Sequence, residues 1–200
     1  MPYPLKPPTF STPKPLTARQ AQLWLMDLRC FGDEHKRAAL AMMSTDTDER
    51  VRAREQKTRE QEANGQNSYI ASRWLLRSCL ARFTGTAPAQ LVFARTDKGK
   101  PYLAGSNIHF SLSHSGHWVV LAVSASTRVG VDVEVVRRAR GLQRIAQNYF
   151  HPAEVEQLAR TEPQDQETYF YRLWTLKEAF FKALGTGISA GLGNIHFVLD

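Results

Sequence analysis

Cysteine is scarce in this 200-residue chain. Cys30 and Cys79 are the only two, too few for a disulfide framework and without the spacing of a metal motif. A disulfide-stapled scaffold and a cysteine-ligated zinc fold are therefore excluded. Both cysteines sit in apolar or helical-looking stretches, which predicts two buried thiols. Long hydrophobic runs are also missing. No stretch approaches the roughly 20 apolar residues of a membrane-spanning helix. The opening Met1-Pro2-Tyr3-Pro4-Leu5-Lys6-Pro7-Pro8 has no apolar signal core. The expectation is a cytoplasmic protein that needs no membrane. Six of the ten prolines fall between Pro2 and Pro15, so that arm is expected to be extended rather than helical.

What is present describes a globular protein. Hydrophobic residues make up 42% and charged residues 22%, which excludes a wholly disordered chain. The length suits one ample core or two lobes of about 100 residues each. Lys plus Arg number 26 against 19 Asp plus Glu, giving a net charge of +7. Such a balance suggests an anionic partner: nucleic acid, a phosphorylated cofactor, an acidic protein or an anionic membrane.

Periodicity supplies a coarse element map. Helical patterning starts around Thr17, a suitable cap, and a short helix is expected over Asp33–Met43. The stretch 47–62 is charged and mixed in sign, and reads as a solvated helix or turn broken by Asn64-Gly65. Residues 67–83 read as a buried helix stopped by Gly85. Strands are expected over 91–94, 109–113, Trp118–Ser124, 128–136 and 194–199. Helices are expected over 142–150, Pro152–Arg160 and 165–184.

Four segments carry chemistry. In Val129-Gly130-Val131-Asp132-Val133-Glu134-Val135, a strand would put the valines on one face and Asp132 and Glu134 on the other. Residues two apart on a strand are roughly 6.5–7 Å apart, so two carboxylates there can converge on one hard cation such as Mg²⁺. The same pattern also describes an ordinary strand with a polar outer face. In Trp174-Thr175-Leu176-Lys177-Glu178-Ala179-Phe180-Phe181-Lys182, large apolar residues predict a mostly buried helix, yet Glu178 and Lys182 share one face with Lys177 beside them. They are either an exposed intrahelical pair or buried charges that need a partner.

The third segment, His109-Phe110-Ser111-Leu112-Ser113-His114-Ser115-Gly116-His117, offers hydroxyl and imidazole donors at a strand end, which suits phosphate. A serine nucleophile lacks its G-x-S-x-G elbow, and zinc on His109, His114 and His117 matches no standard spacing. The fourth, Asp97-Lys98-Gly99-Lys100-Pro101, is a basic turn, equally suited to plain solvent exposure.

Together and in this order these segments resemble the Sfp-type 4′-phosphopantetheinyl transferase family, over about residues 50–200. The resemblance implies an α+β fold of two similar lobes related by a pseudo-twofold, here residues 1–126 and 127–200, with the active site at their junction. It implies that Asp132, Glu134 and Glu178 hold Mg²⁺, with Mn²⁺ an alternative, against the pyrophosphate of coenzyme A. Lys182 would contact the phosphates, while Lys100, Ser113 and His114 hold the nucleotide end. An early basic residue for the 3′-phosphate falls at Arg52, with Arg50 and Arg54 as rivals. Ser111 stands where the family often has Asn, and can still donate and accept a hydrogen bond. Family members usually continue beyond residues 194–199 with further strands, so the expectation is a C-terminal lobe that is abbreviated or trimmed.

The implied reaction is transfer of 4′-phosphopantetheine from coenzyme A to a serine of an apo carrier protein, releasing adenosine 3′,5′-bisphosphate. Glu178, or a metal-bound water polarised by it, is the candidate base. Arg137, Arg138, Arg140 and Arg144 form a second basic group, either a solvated loop or a docking surface for an acidic carrier. A monomer suffices for such a chain. The rival readings are a Mg²⁺-dependent nuclease or phosphohydrolase, and a non-catalytic nucleic-acid-binding module.

Overall fold

The computed structural model describes residues 20–43, 63–136, 141–187 and 191–199. The charged stretch 47–62, including Arg52, and the basic Arg137, Arg138 and Arg140 lie outside the described residues. The architecture is mixed helix and sheet. Strand β1 (Ala21–Asp27) leads through a 3₁₀ turn to helix α1 (Asp33–Met43), and helix α2 spans Ala63–Thr84. Strands β2 (Phe93–Arg95), β3 (Pro101–Leu103), β4 (His109–Ser115) and β5 (Trp118–Ser124) follow. Helices α3 (Leu142–Tyr149), α4 (Pro152–Arg160) and α5 (Gln166–Leu184) complete the elements that matter below.

The apolar residues of α2 recur at helical spacing, and the face carrying Ile70, Trp74, Leu75, Cys79 and Leu80 is buried. It packs on one face of the antiparallel sheet β1-β5-β4, against Phe110, Val119, Leu121 and Val123. Strand β5 has no polar face. Val119, Leu121 and Val123 meet α2, whereas Val120 and Ala122 meet Val129, Val131 and Val133 on the opposite side. A strand covered on both faces reads as a continuous apolar run, which is why Trp118–Ser124 is so visible in the sequence. Arg77, fully buried on α2, donates to the carbonyls of Pro88 (2.7 Å) and Leu91 (3.0 Å) and so ties the helix to the loop before β2.

Four expectations need correction. Ala21–Asp27 is a strand, not the start of a helix. Trp24 and Met26 turn inward while Leu23 and Leu25 stay exposed, a period of two imposed by pairing with β5. Asn64-Gly65 lies within the first turn of α2 rather than before it. Residues 128–136 and 194–199 run without a backbone ladder. Side chains accept from three of their backbone amides instead. The Val131 and Val135 amides donate to the hydroxyls of Ser111 (3.1 Å) and Ser115 (3.2 Å), and the Phe197 amide donates to Glu154 Oε1 (2.8 Å). Of the two cysteines, Cys79 is buried, with its thiol pushed up to about 12 by burial, and Cys30 is only half-buried. Among the described residues no helix is long and apolar enough to cross a membrane.

The C-terminal helices are organised by one buried ion pair. Lys177 and Glu154 are both wholly inaccessible, with Nζ 2.7 Å from Oε2. Lys177 also donates to the carbonyls of Leu192 and Ile195 and lies over the rings of Phe150 and Phe197. Glu154 in turn accepts from the His151 amide (2.9 Å), forming a capping box at the start of α4. Removing one partner of such a pair strands the other charge, at about 3–5 kcal/mol. Lys177→Met is expected to lose that much in urea unfolding, and a loss below about 1 kcal/mol would show the pair to be dispensable.

Candidate active site

Residues 128–135 are wedged between β4 and α5. The wedge closes because Gly130 has no side chain. A Cβ there would collide with the backbone of Ala179 and Ala183 on α5. On the β4 side, Ser111, Ser113 and Ser115 point from alternate positions to the segment. Ser113 Oγ donates to Asp132 Oδ1 (2.6 Å) and Ser115 Oγ donates to Glu134 Oε2 (2.8 Å). Lys182 reaches in from α5 and donates to both Ser113 Oγ (2.8 Å) and Asp132 Oδ1 (2.5 Å). Asp132, Ser113 and Lys182 are thereby fixed against one another from three separate elements.

The Asp132 side chain is 3% exposed, and its Oδ2 is buried without a partner among the described residues. Glu178, one turn before Lys182, is also buried. Burial pushes its carboxyl above the ordinary glutamate range; Lys182 opposes this, while the charges of Asp132 and Glu134 reinforce it. The three carboxylates therefore share one electrostatic neighbourhood, with Lys182 as the cation beside them. Among the described residues, no three such side chains already converge at metal-holding distance. The donor set nevertheless suits a hard divalent cation: all-oxygen ligands, one unpartnered buried oxygen at Asp132, and a Glu178 carboxyl whose pKa burial and the neighbouring acids raise.

Beside this cluster opens a cavity of about 570 Å³, within the range of cofactor sites. Glu178 and Lys182 form one wall, and Leu112 and His114 of β4 another. The basic turn 98–101 and the α2 face of Tyr69, Ser72, Arg73 and Leu76 close the remainder. The cavity thus carries a cationic rim, with the acids gathered on one side.

Two family models cover nearly the whole described chain. The 4′-phosphopantetheinyl transferase superfamily model matches residues 128–200, and the 4′-phosphopantetheinyl transferase N-terminal model matches residues 32–126. The chain belongs to the 4′-phosphopantetheinyl transferase superfamily. It is 40% identical over 121 residues to a 4′-phosphopantetheinyl transferase of Bacillus subtilis, a match covering 60% of this chain and 53% of the relative. It is 37% identical over 135 residues to the 4′-phosphopantetheinyl transferase HetI of a Nostoc strain, covering 66% and 56%. To the transferase Sfp of Bacillus subtilis it is 34% identical over 121 residues, covering 60% and 53%. The chain spans about half the length of the curated relatives it matches.

For a member of this superfamily, the expected site residues are distributed unevenly. Asp132, Glu178, Lys182 and Ser113 come together, Glu134 joins through Ser115, and His114 lines the cavity. Ser113 serves the acid–lysine network rather than an open nucleotide subsite. Lys100 also lines the cavity, but its Nζ donates to the carbonyls of Ala183 (3.0 Å) and Val129 (3.3 Å). Burial, then the charge of Arg128, lowers its pKa. It is a clamp across the C-terminus of α5 and the acidic segment. Glu178 and Lys182 do not pair as an exposed helical couple, because Lys182 turns to Asp132 instead. Sequence reasoning missed Glu154, whose only signal was a glutamate three residues after a capping His151, and the serine alternation, which was visible but read as phosphate chemistry.

The raised Glu178 carboxyl gives a signed pH prediction. Its favourable contribution is complete below the ordinary glutamate value of 4.5 and is lost as pH rises through the raised folded-state value. Without divalent cation, Glu178→Gln is therefore expected to melt above the parent protein at pH 8. The difference should vanish near pH 4, about where the carboxyl is protonated in both states. A Tm difference independent of pH would contradict the burial of this charge.

Proposed function

We propose that this chain transfers 4′-phosphopantetheine from coenzyme A to a serine hydroxyl of an apo acyl or peptidyl carrier protein, releasing adenosine 3′,5′-bisphosphate, in the cytoplasm. The observation that carries this reading is the junction of two unlike regions in one cavity: the Asp132–Ser113–Lys182 network with Glu178 at one wall, and a basic, apolar-floored pocket for a nucleotide beside it. A nuclease would need the acids alone. The cavity beside them fits a bulky phosphorylated co-substrate.

The working unit is read as two lobes, residues 1–126 and 127–200, meeting at this cavity. Asp132, Glu134 and Glu178 would hold Mg²⁺ or Mn²⁺, which when bound supplies charge neutralisation for the pyrophosphate. Lys182 contributes a fixed ammonium, already oriented by Ser113 and Asp132, towards the charge that grows on the leaving bisphosphate. The new bond joins the carrier serine oxygen to the pantetheine-bearing phosphorus, and the bond that breaks joins that phosphorus to the oxygen of the leaving bisphosphate. Glu178, which borders the cavity, is the candidate acceptor of the serine proton. His114 and Lys100 border the nucleotide half, with Arg52 kept as a candidate for its ribose phosphate. Carrier docking is assigned to Arg137, Arg138, Arg140 and Arg144, of which Arg144 is exposed on α3.

Intact-mass measurement of apo carriers incubated with coenzyme A and Mg²⁺ tests the activity. Wild-type protein should add one phosphopantetheine group. Asp132→Ala and Glu178→Gln are each expected to lose transfer by about 100-fold or more while remaining folded by circular dichroism. Turnover like that of the parent in either variant would overturn the site. Lys182→Ala should mainly weaken coenzyme A use, and kinetics unchanged for coenzyme A would remove Lys182 from it.

A further inference from the structure

Ser115 and Glu134 form a pair beside the Asp132–Ser113–Lys182 network. Ser115 closes β4 and lies opposite Trp118 across the short hairpin to β5, so its backbone is held by the sheet. Its hydroxyl has two engagements. It accepts from the Val135 amide (3.2 Å) and donates to Glu134 Oε2 (2.8 Å). A hydroxyl carries one proton, and here that proton is turned to the carboxylate. Among the described residues Glu134 makes no other hydrogen bond. Asp132 differs, because its Oδ1 takes both Ser113 and Lys182. Each acid is held through one oxygen, but Asp132 has two donors there and Glu134 has one. Glutamate also has one more rotatable bond than aspartate and loses more rotamer freedom when fixed. Ser111 supplies a built-in comparison, since it takes the Val131 amide (3.1 Å) but holds no carboxylate among the described residues.

We infer that Ser115 is a positioning residue: it fixes the Glu134 carboxylate through Oε2 and leaves Oε1 available to the divalent cation. The inference rests on the transferase reading above, in which Glu134 is a metal ligand, and adds what orients that ligand. Ser115 is not among the residues that line the cavity, so it acts through Glu134 rather than on the co-substrate. Groups that orient a metal ligand in this way commonly change metal affinity when removed, even though they never touch the ion.

Calorimetric titration of the whole protein with Mn²⁺, with and without coenzyme A, tests this without relying on turnover. Ser115→Ala should bind Mn²⁺ about 10-fold more weakly than the parent. Ser115→Thr, which keeps the hydroxyl, should stay within about threefold of it. Ser111→Ala loses an amide contact but no carboxylate contact, and should fall in the same narrow range. In the transfer assay, Ser115→Ala should raise the Mg²⁺ concentration for half-maximal rate by about 10-fold, while KM for coenzyme A at saturating Mg²⁺ stays near that of the parent. If Ser115→Ala fails to fold by circular dichroism, Ser115→Cys carries the comparison, since a thiol fills the space but donates weakly. Weaker Mn²⁺ binding by the Cys variant then supports the assignment. Parental Mn²⁺ affinity in the folded variant, or an equal loss in Ser111→Ala, would show that Ser115 serves only the backbone and would overturn it. Absence of Mn²⁺ binding by the wild type, with and without coenzyme A, would instead strike the metal reading itself, and the role of Ser115 with it.

Discussion

A backbone contact at Gly130 governs this structure. Only a residue without Cβ lets the segment 128–135 lie against the backbone of α5 at Ala179 and Ala183 while its valines stay on the sheet. That approach sets the depth at which Asp132 enters the gap between β4 and α5. From there it meets Ser113 on one side and Lys182 on the other. Any larger residue would lever the segment off the helix and separate charges now at hydrogen-bond distance. The electrostatics of the cluster thus follow from a steric allowance one residue wide.

Helix α5 divides its charges by direction. Lys177 faces the C-terminal interior and is consumed by Glu154 and two carbonyls, so it gives that region its rigidity. Glu178, the next residue, is turned by about 100° around the helix and borders the cavity instead. Lys182 lies one turn further on, near Glu178, and is drawn to Asp132. Lys177 is a fully buried structural cation, whereas Lys182, about a third exposed, is poised at the site. The distinction is made by what each side chain meets, because both sit on the same helix with similar neighbours in sequence. The C-terminus of α5 is then secured by Lys100, with Gly185 in the left-handed conformation (φ +73°) leaving room for the lysine stem.

The net charge of +7 acquires a distribution. Lys177 and Lys100 are spent internally on a carboxylate and on carbonyls. Lys182 is shared between Asp132 and the cavity, which Arg73 and Lys98 also line. A basic protein need not be a nucleic-acid binder when its positive charge is arranged around one concave, cofactor-sized space beside a knot of acids.

The helices Asp33–Met43, Pro152–Arg160 and α5, together with strand β5, could be read from periodicity and caps, because their burial is one-sided or complete and their ends carry Gly or Pro. Strand β1 could not, since pairing with β5 overrode its local pattern. Nor could the lack of a ladder at residues 128–136 and 194–199, because side-chain hydroxyls and a buried glutamate took the hydrogen bonds that neighbouring strands would have made. The sequence by itself determined the residue types of the site and their order: an acidic pair, serines alternating before it, and a Glu and Lys one turn apart after it. Tertiary structure alone decided that Lys182 pairs with Asp132, that Lys177 turns inward, that Lys100 clamps rather than reaches, and that Arg73 borders the cavity. These outcomes depend on which surfaces touch across long separations, and no local spacing encodes them.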